Sequence, residues 1–215
     1  MKQIDEYRDL DAIALRSGTD KASEWHDYMH MYSRHFAPFR EQPIKFLEIG
    51  LWEGSSAKLW EEYFPRAELH FIDISFDALK YRSGRSYYHL CNQEDPDDLN
   101  RFLKAVPGPF DIIVDDGGHT ARQQLTSFSI LFPQMRSGGI YVIEDLHSSY
   151  WGGTGPGSTI YFLKALIDEV NYIGAKTGRA SQAAVPLELQ KEMTFYRDQV
   201  RSISFSSSTA VIERR

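Results

Sequence analysis

The sequence predicts an α/β fold: a doubly wound, mostly parallel sheet that closes in an antiparallel C-terminal edge pair. Three observations predict it. Short apolar runs alternate with helical stretches from residue 44 to residue 146, the pattern of parallel strands joined by right-handed crossovers. The apolar runs end in polar turns, which is where open α/β sheets hold their ligands. The tail, VRSISFSSSTAVIER, carries two period-2 segments around a serine run, as a hairpin would.

Each element follows from its local pattern. In residues 19–40, TDKASEWHDYMHMYSRHFAPFR, the spacing of Trp25, Tyr28, Met29, Tyr32 and Phe36 predicts an amphipathic helix that stops before Pro38. Residues 1–40 are therefore expected to form a helical cap on a compact domain of residues 41–215. Strands are expected at IKFLEIG (44–50), ELHFIDI (68–74), SYYHLCN (86–92), FDIIVDD (110–116) and GGIYVIEDL (138–146). Helices are expected at SSAKLWEEYF (55–64), FDALKYR, DPDDLNRFLKAV (95–106), TARQQLTSFSILFPQM (120–135) and YFLKALIDEVNYI. The loop SSYWGGTGPGS (148–158) has the make-up of a mobile lid that carries Tyr150 and Trp151 as contact surface.

Composition narrows the function classes. The 215 residues are 42% apolar and 25% charged, and the net charge of −6 argues against a binder of nucleic-acid backbones. No apolar run approaches the roughly 18 residues of a membrane span. The opening MKQIDEYRDL lacks the apolar core of a signal peptide, so a cytoplasmic location is expected. With Cys91 as the single cysteine, neither a disulfide framework nor a thiolate zinc site is available, and a bound metal should be a hard, oxygen-held ion.

Four strand ends are chemically suggestive. The turn from Glu48 through Gly50 to Ser55 resembles a nucleotide loop, but Trp52 stands where a second glycine would let backbone approach a pyrophosphate. A nicotinamide dinucleotide is therefore disfavoured, whereas a nucleoside without phosphates is not. Asp73 lies roughly 20 residues further on, where a carboxylate would accept ribose hydroxyls, although a turn or cap role suits it too. FDIIVDDGGH presents Asp115, Asp116 and His119, and GIYVIEDLH presents Glu144, Asp145 and His147. So many carboxylates at neighbouring strand ends repel one another, and a divalent cation such as magnesium, manganese or calcium resolves the conflict. Helix capping is the alternative for Asp115 and Asp116 taken singly. Adjacent Glu144 and Asp145 point to opposite faces of a regular strand, so both ligate only if the chain bends there. Asp116 is the third ligand if Asp115 points back into the fold. His119 sits in a Gly-Gly turn within reach of anything the ion binds, and histidine titrates near neutral pH as a general base must. Capping or surface exposure is its alternative role. His26 and His30 read as part of an aromatic helix face, and His70 and His89 as structural strand residues.

The order Gly18-Thr19-Asp20-Lys21, LEIGLWEGSSAKLWEEYFP, FIDI, DDGGH and LFPQMRSGGIYVIEDLHSSYW resembles the metal-dependent O-methyltransferases that act on sugar hydroxyls of macrolides and other bacterial natural products. The likeness runs from about residue 18 to residue 172. It implies a class I, Rossmann-like methyltransferase sheet that uses S-adenosylmethionine and Mg2+ (or Mn2+). Asp116, Glu144 and Asp145 match the family's metal ligands, and His119, beside Asp116, matches its general base. Glu48 and Gly50 match the methionine side of the cofactor site, Asp73 the ribose carboxylate and Gln93 the adenine side, with Ser55 and Asp115 completing the expected cofactor set. His147, Tyr150 and Trp151 are expected to meet the acceptor. Cys91-Asn92 replaces the family's usual Gly-Asp before Gln93, and Gly118 replaces a usual serine. The implied acceptor is a glycoside or another vicinal-diol small molecule, and the implied assembly is a homo-oligomer. The competing expectation is a methyltransferase-fold protein that binds the cofactor but acts as a cyclase, an isomerase or a non-catalytic partner.

Overall fold

The computed structural model describes residues 2–178 and 185–215. Its elements, in order, are α1 (Lys2–Ser17), α2 (Met29–Phe36), β1 (Lys45–Ile49), α3 (Ser55–Tyr63), β2 (Glu68–Asp73), β3 (Tyr87–Leu90), α4 (Pro96–Ala105), β4 (Phe110–Asp115), α5 (Ala121–Leu131), β5 (Met135–Ile143), α6 (Thr159–Thr177), the short α7 (Leu187–Gln190) and α8 (Phe195–Gln199), β6 (Val200–Ser206) and β7 (Thr209–Arg214). They build a seven-stranded sheet in the order β3-β2-β1-β4-β5-β7-β6. The first five strands are parallel, and β7 pairs antiparallel with both β5 and β6. The expected hairpin tail thus closes the sheet through its second strand. The order in which successive strands are added reverses between β1 and β4, with β2 and β3 on one side and β5 on the other, so a crevice opens beyond the carboxyl ends of these two parallel strands.

Period-2 alternation divides the sheet between two cores. Phe46, Phe71, Ile112, Val114, Ile140 and Val142 face one side and pack with Leu10, Tyr32, Phe36 and Trp60. Leu47, Ile49, Ile72, Ile113, Tyr141 and Ile143 face the other and pack with Leu99, Phe128 and Leu163. The N-terminal segment from Leu10 to Phe39 therefore shares a core with the sheet. The same parity fixes the polar residues at the strand ends: Glu48 and Glu144 belong to the face covered by α1 and α2, and Asp115 to the face covered by α4 and α5.

Three segments differ from expectation. Residues 19–28 are a series of turns and only Met29–Phe36 is helical, because the backbone is committed to short-range bonds. His26 N–H donates to Asp20 O, Asp27 N–H to Ala22 O and Tyr28 N–H to Lys21 O, while Asp11 accepts from the backbone and hydroxyl of Ser23. FDALKYR is a loop rather than a helix: Lys80 and Tyr81 N–H both donate to Glu53 O, tying the segment to the glycine loop. The helix expected to run to residue 135 stops at Leu131, where a single 3-10 turn through Pro133 leads into β5, which begins at Met135. No helix among the described residues is long and apolar enough to cross a membrane.

α5 starts at a capping box in which Thr120 accepts from Gln123 N–H and Gln123 reaches back to Thr120 N–H. Thr120→Ala is expected to cost about 1 kcal/mol, lowering Tm by roughly 2–4 °C in a thermal melt.

Candidate active site

The glycine loop after β1 is held by its backbone. Gly50 adopts φ +87°, and a Cβ there would lie 2.1 Å from Asp116 O, so only glycine lets the loops after β1 and β4 touch. Leu51 and Trp52 N–H donate to Asp73 Oδ2 at 2.7 and 3.3 Å, and Ser75 N–H donates to Oδ1 at 3.2 Å. Asp73 therefore holds the loop in place while still lining the crevice.

The DDGGH turn is braced from the opposite face. Asp115 is fully buried and accepts from Gln93 Nε2 at 2.9 Å, Tyr141 OH at 3.2 Å and the Ser127 hydroxyl. Gln93 Oε1 in turn accepts from Gly118 N–H at 2.8 Å, and a Cβ at Gly117 would collide with that same oxygen. A Cβ at Gly118 would strike the Gln123 side chain, so the glycine in place of serine suits the close approach of α5.

Beyond this turn Asp116, His119 and Asp145 converge, offering donor atoms within 4.8 Å of one another. His119 Nε2 stands 3.4 Å from Asp145 Oδ2 and 4.0 Å from Asp116 Oδ1. Asp145 reaches this point because the chain bends immediately after β5, with φ +54° and ψ 37° at Asp145. Burial pushes Asp145 up, but the Tyr28 hydroxyl, which donates at 2.7 Å, and the nearby histidines outweigh it and hold the carboxyl below its usual range. The two carboxylates suit a divalent cation, and oxygen donors favour magnesium or manganese over softer ions, which leaves the His119 imidazole beside the ion as a proton acceptor.

Glu144 lies elsewhere, 1% exposed, where it accepts from Lys21 Nζ at 2.8 Å and from the Tyr32 hydroxyl. The Lys21 ammonium also pairs with Asp116 and lies 3.7 Å from Glu48. Burial opposes the charge on Lys21, but Asp116, Glu144 and Glu48 together outweigh it and raise its pKa well above normal. Burial pushes Glu144 and Asp116 upward, and it pushes Glu48 to about 7 despite Lys21 and a 2.8 Å hydrogen bond from Ser56.

A cavity of about 610 Å3 runs across these loops. Of the expected site residues, Gly50, Ser55, Asp73, Gln93, Asp116, His119 and Asp145 line it. Glu48, Asp115 and Glu144 do not: strand parity buries them behind its wall, where their oxygens engage other side chains. His147 Nδ1 contacts Ser208 Oγ at 3.1 Å and its ring stacks near His26, while Tyr150 and Trp151 are exposed. His26 thus contributes to an aromatic group beside the site, and His30 stacks on Tyr7 away from it. His70 and His89 bond each other at 3.1 Å across β2 and β3. Sequence reasoning assigned no role to Lys21, Tyr28 or Tyr32. A signal existed, since several carboxylates on one buried face require a cation, and the Gly18–Lys21 motif supplies one.

Fold and site together define a class. Residues 47–146 match the family model of the methyltransferase domain, and the chain contains such a domain. The chain is a homologue of bacterial sugar O-methyltransferases. It is 39% identical over 188 residues to the L-olivosyl-oleandolide 3-O-methyltransferase of Streptomyces antibioticus, covering 80% of this chain and 48% of that protein. It is 34% identical over 221 residues to the 8-demethyl-8-alpha-L-rhamnosyl tetracenomycin-C 2'-O-methyltransferase of Streptomyces olivaceus, covering 96% and 54%. Among solved structures, the MycE methyltransferase of the mycinamycin biosynthetic pathway, in complex with Mg and SAH, superposes with a TM-score of 0.83 at 29% identity, over 96% of this chain and 53% of that one. The chain spans about half the length of the curated relatives it matches.

The Glu48 carboxyl gives the site a pH signature. Its folded pKa of about 7 exceeds the ordinary 4.5, so the stability it contributes is complete below about 4.5 and is lost as pH rises through about 7. Glu48→Gln, with no such proton to lose, is expected to gain on the wild type by roughly 3 kcal/mol between pH 4.5 and about 8, read from urea unfolding. A difference between the two that stays constant with pH contradicts this assignment.

Proposed function

We propose that the chain transfers a methyl group from S-adenosylmethionine to a sugar hydroxyl of a glycosylated small molecule, with magnesium or manganese as the metal. The observation that carries this reading is the convergence of Asp116, His119 and Asp145 in one wall of a cavity whose other lining includes Asp73 and Gln93. The homologues support it, because each of those named above is a sugar-directed O-methyltransferase or a methyltransferase seen with Mg and SAH.

In this reading Gly50 and Leu51 form the floor under the methionine part of the cofactor, and Asp73 accepts from its ribose with the lone pairs left by the loop N–H groups. Gln93 lines the adenine side, anchored by Asp115 from below. Asp116 and Asp145 would hold the divalent ion, with Glu144 adjoining. Such an ion, when bound, orients a vicinal diol and makes its proton easier to lose. His119 Nε2 takes the hydroxyl proton as the oxygen attacks the methyl carbon in line. The C–O bond forms as the C–S bond breaks, and the sulfonium leaves as the neutral thioether S-adenosylhomocysteine. The surrounding carboxylates favour the cationic cosubstrate. His147, Tyr150 and Trp151 stand where an acceptor would cover the crevice, with the 148–158 loop as its lid. Residues 1–40 act as a helical cap on the 41–215 domain, supported by the core they share. The working form proposed is a cytoplasmic homo-oligomer, a proposal that rests on the family likeness.

His119→Ala and Asp116→Asn are expected to lower turnover by at least about 100-fold, while S-adenosylmethionine binding by calorimetry stays within about threefold of wild type. A chelator should stop transfer of labelled methyl to glycosides carrying vicinal diols, and added Mg2+ or Mn2+ should restore it. Full activity of both variants in chelator, or no labelled product across a broad acceptor panel, overturns the proposal.

A further inference from the structure

Lys21 occupies an unusual place for a cation. It is 1% exposed, yet it lies in a turn of the chain rather than in a helix or strand. Its ammonium sits among Asp116, Glu144 and Glu48 and makes direct contacts with the first two. Asp116 is divided between two cation positions, since Oδ2 accepts from Lys21 while Oδ1 faces His119. Both oxygens of Glu144 are engaged, Oε2 by Lys21 and Oε1 by Tyr32. The acid assigned to the metal by family resemblance is thus engaged by an ammonium of the chain itself.

We infer that Lys21 is the resident counter-ion of the metal site: a positioning residue that holds Asp116 and Glu144 together and competes with the divalent ion for them. The inference rests on the divalent-ion reading of the site. Its logic is electrostatic. Carboxylates gathered on one buried face repel one another and cannot stay charged and unpaired away from water. A tethered ammonium relieves the repulsion and keeps the acids poised. It also occupies their lone pairs and adds a positive charge close to the ion, so an incoming cation binds more weakly than it would to the acids alone. Lys21 itself lines the cavity beside Gly18, Thr19 and Asp20, so a shift of its side chain on ion binding would be felt at the cofactor wall.

Mn2+ binding to the full chain tests this, measured by calorimetry and by the manganese paramagnetic resonance signal, with no acceptor present. Lys21→Gln is expected to bind Mn2+ about tenfold more tightly than wild type, and Lys21→Arg, which keeps the charge, to stay within about threefold. Lys21→Gln should also lose more Tm without Mn2+ than with it, whereas a purely structural lysine would cost the same in both. An unchanged or weakened Mn2+ constant in Lys21→Gln overturns the inference while leaving the divalent-ion reading intact. Absence of Mn2+ binding by every form defeats both. Should Lys21→Gln fail to fold, the wild type alone decides the matter. A small amine-acylating reagent, with mass spectrometric readout, should spare Lys21 in metal-free protein and label it at saturating Mn2+. Equal labelling in the two states rejects the competition.

Discussion

Lys21 carries its charge into the wall of the crevice with 1% of its surface exposed, and an unpaired ammonium so buried would cost several kcal/mol. Glu144 and Asp116, with Glu48 close by, make that position tenable, and the attraction works in both directions. The three acids arrive from the ends of β1, β4 and β5, whereas the lysine comes from the turns between α1 and α2. The cluster therefore ties the N-terminal segment to the sheet at the point where the crevice opens. Tyr32 on Glu144 and Tyr28 on Asp145 strengthen the same seam from the helical side. Removing one partner would leave the others buried without compensation, which is why such clusters are sensitive to single substitutions.

Around that cluster the site is shaped by backbone contact. Gly50 lies against Asp116 O, and Gly117 against Gln93, so the loops after β1, β3 and β4 are stacked closely enough that side chains are excluded. Asp73 and Asp115 do similar work from two directions: one carboxylate gathers N–H groups of the glycine loop, and the other fixes the glutamine that holds Gly118. Reactive groups are thus left at the edges of a rigid cradle. His119 and Asp145, both at positive φ, are turned toward the same point by loops that the cradle constrains.

Much of this was legible before any coordinates. The parallel strands follow from short apolar runs, and each carries the period-2 parity of a strand. The requirement that the chain bend at Glu144-Asp145 follows from the same parity, and Asp145 meets it with a left-handed backbone. What the sequence did not reveal concerns competition for hydrogen bonds. Tyr28, Met29, Tyr32 and Phe36 have helical spacing because they are buried in one core, yet Trp25, placed on the same stripe, is 76% exposed. The turns between them satisfy their backbone through partners that no periodicity encodes. FDALKYR looks helical by composition, but Glu53 O draws two of its N–H groups. Lys21 went unassigned for a related reason: local pattern places a lysine at the surface, and only the summed charge of distant strand ends brings it inside.

The interdependence of Lys21 and Glu144 is best measured by a double-mutant cycle on unfolding free energy at about pH 8, using Lys21→Met, Glu144→Gln and the pair. If the charge cluster ties the N-terminal turns to the sheet, the double variant should be more stable than the sum of the singles implies, with a coupling of about 1.5 kcal/mol or more. Additivity within about 0.5 kcal/mol would contradict the account, because the two side chains would then be neighbours without being partners.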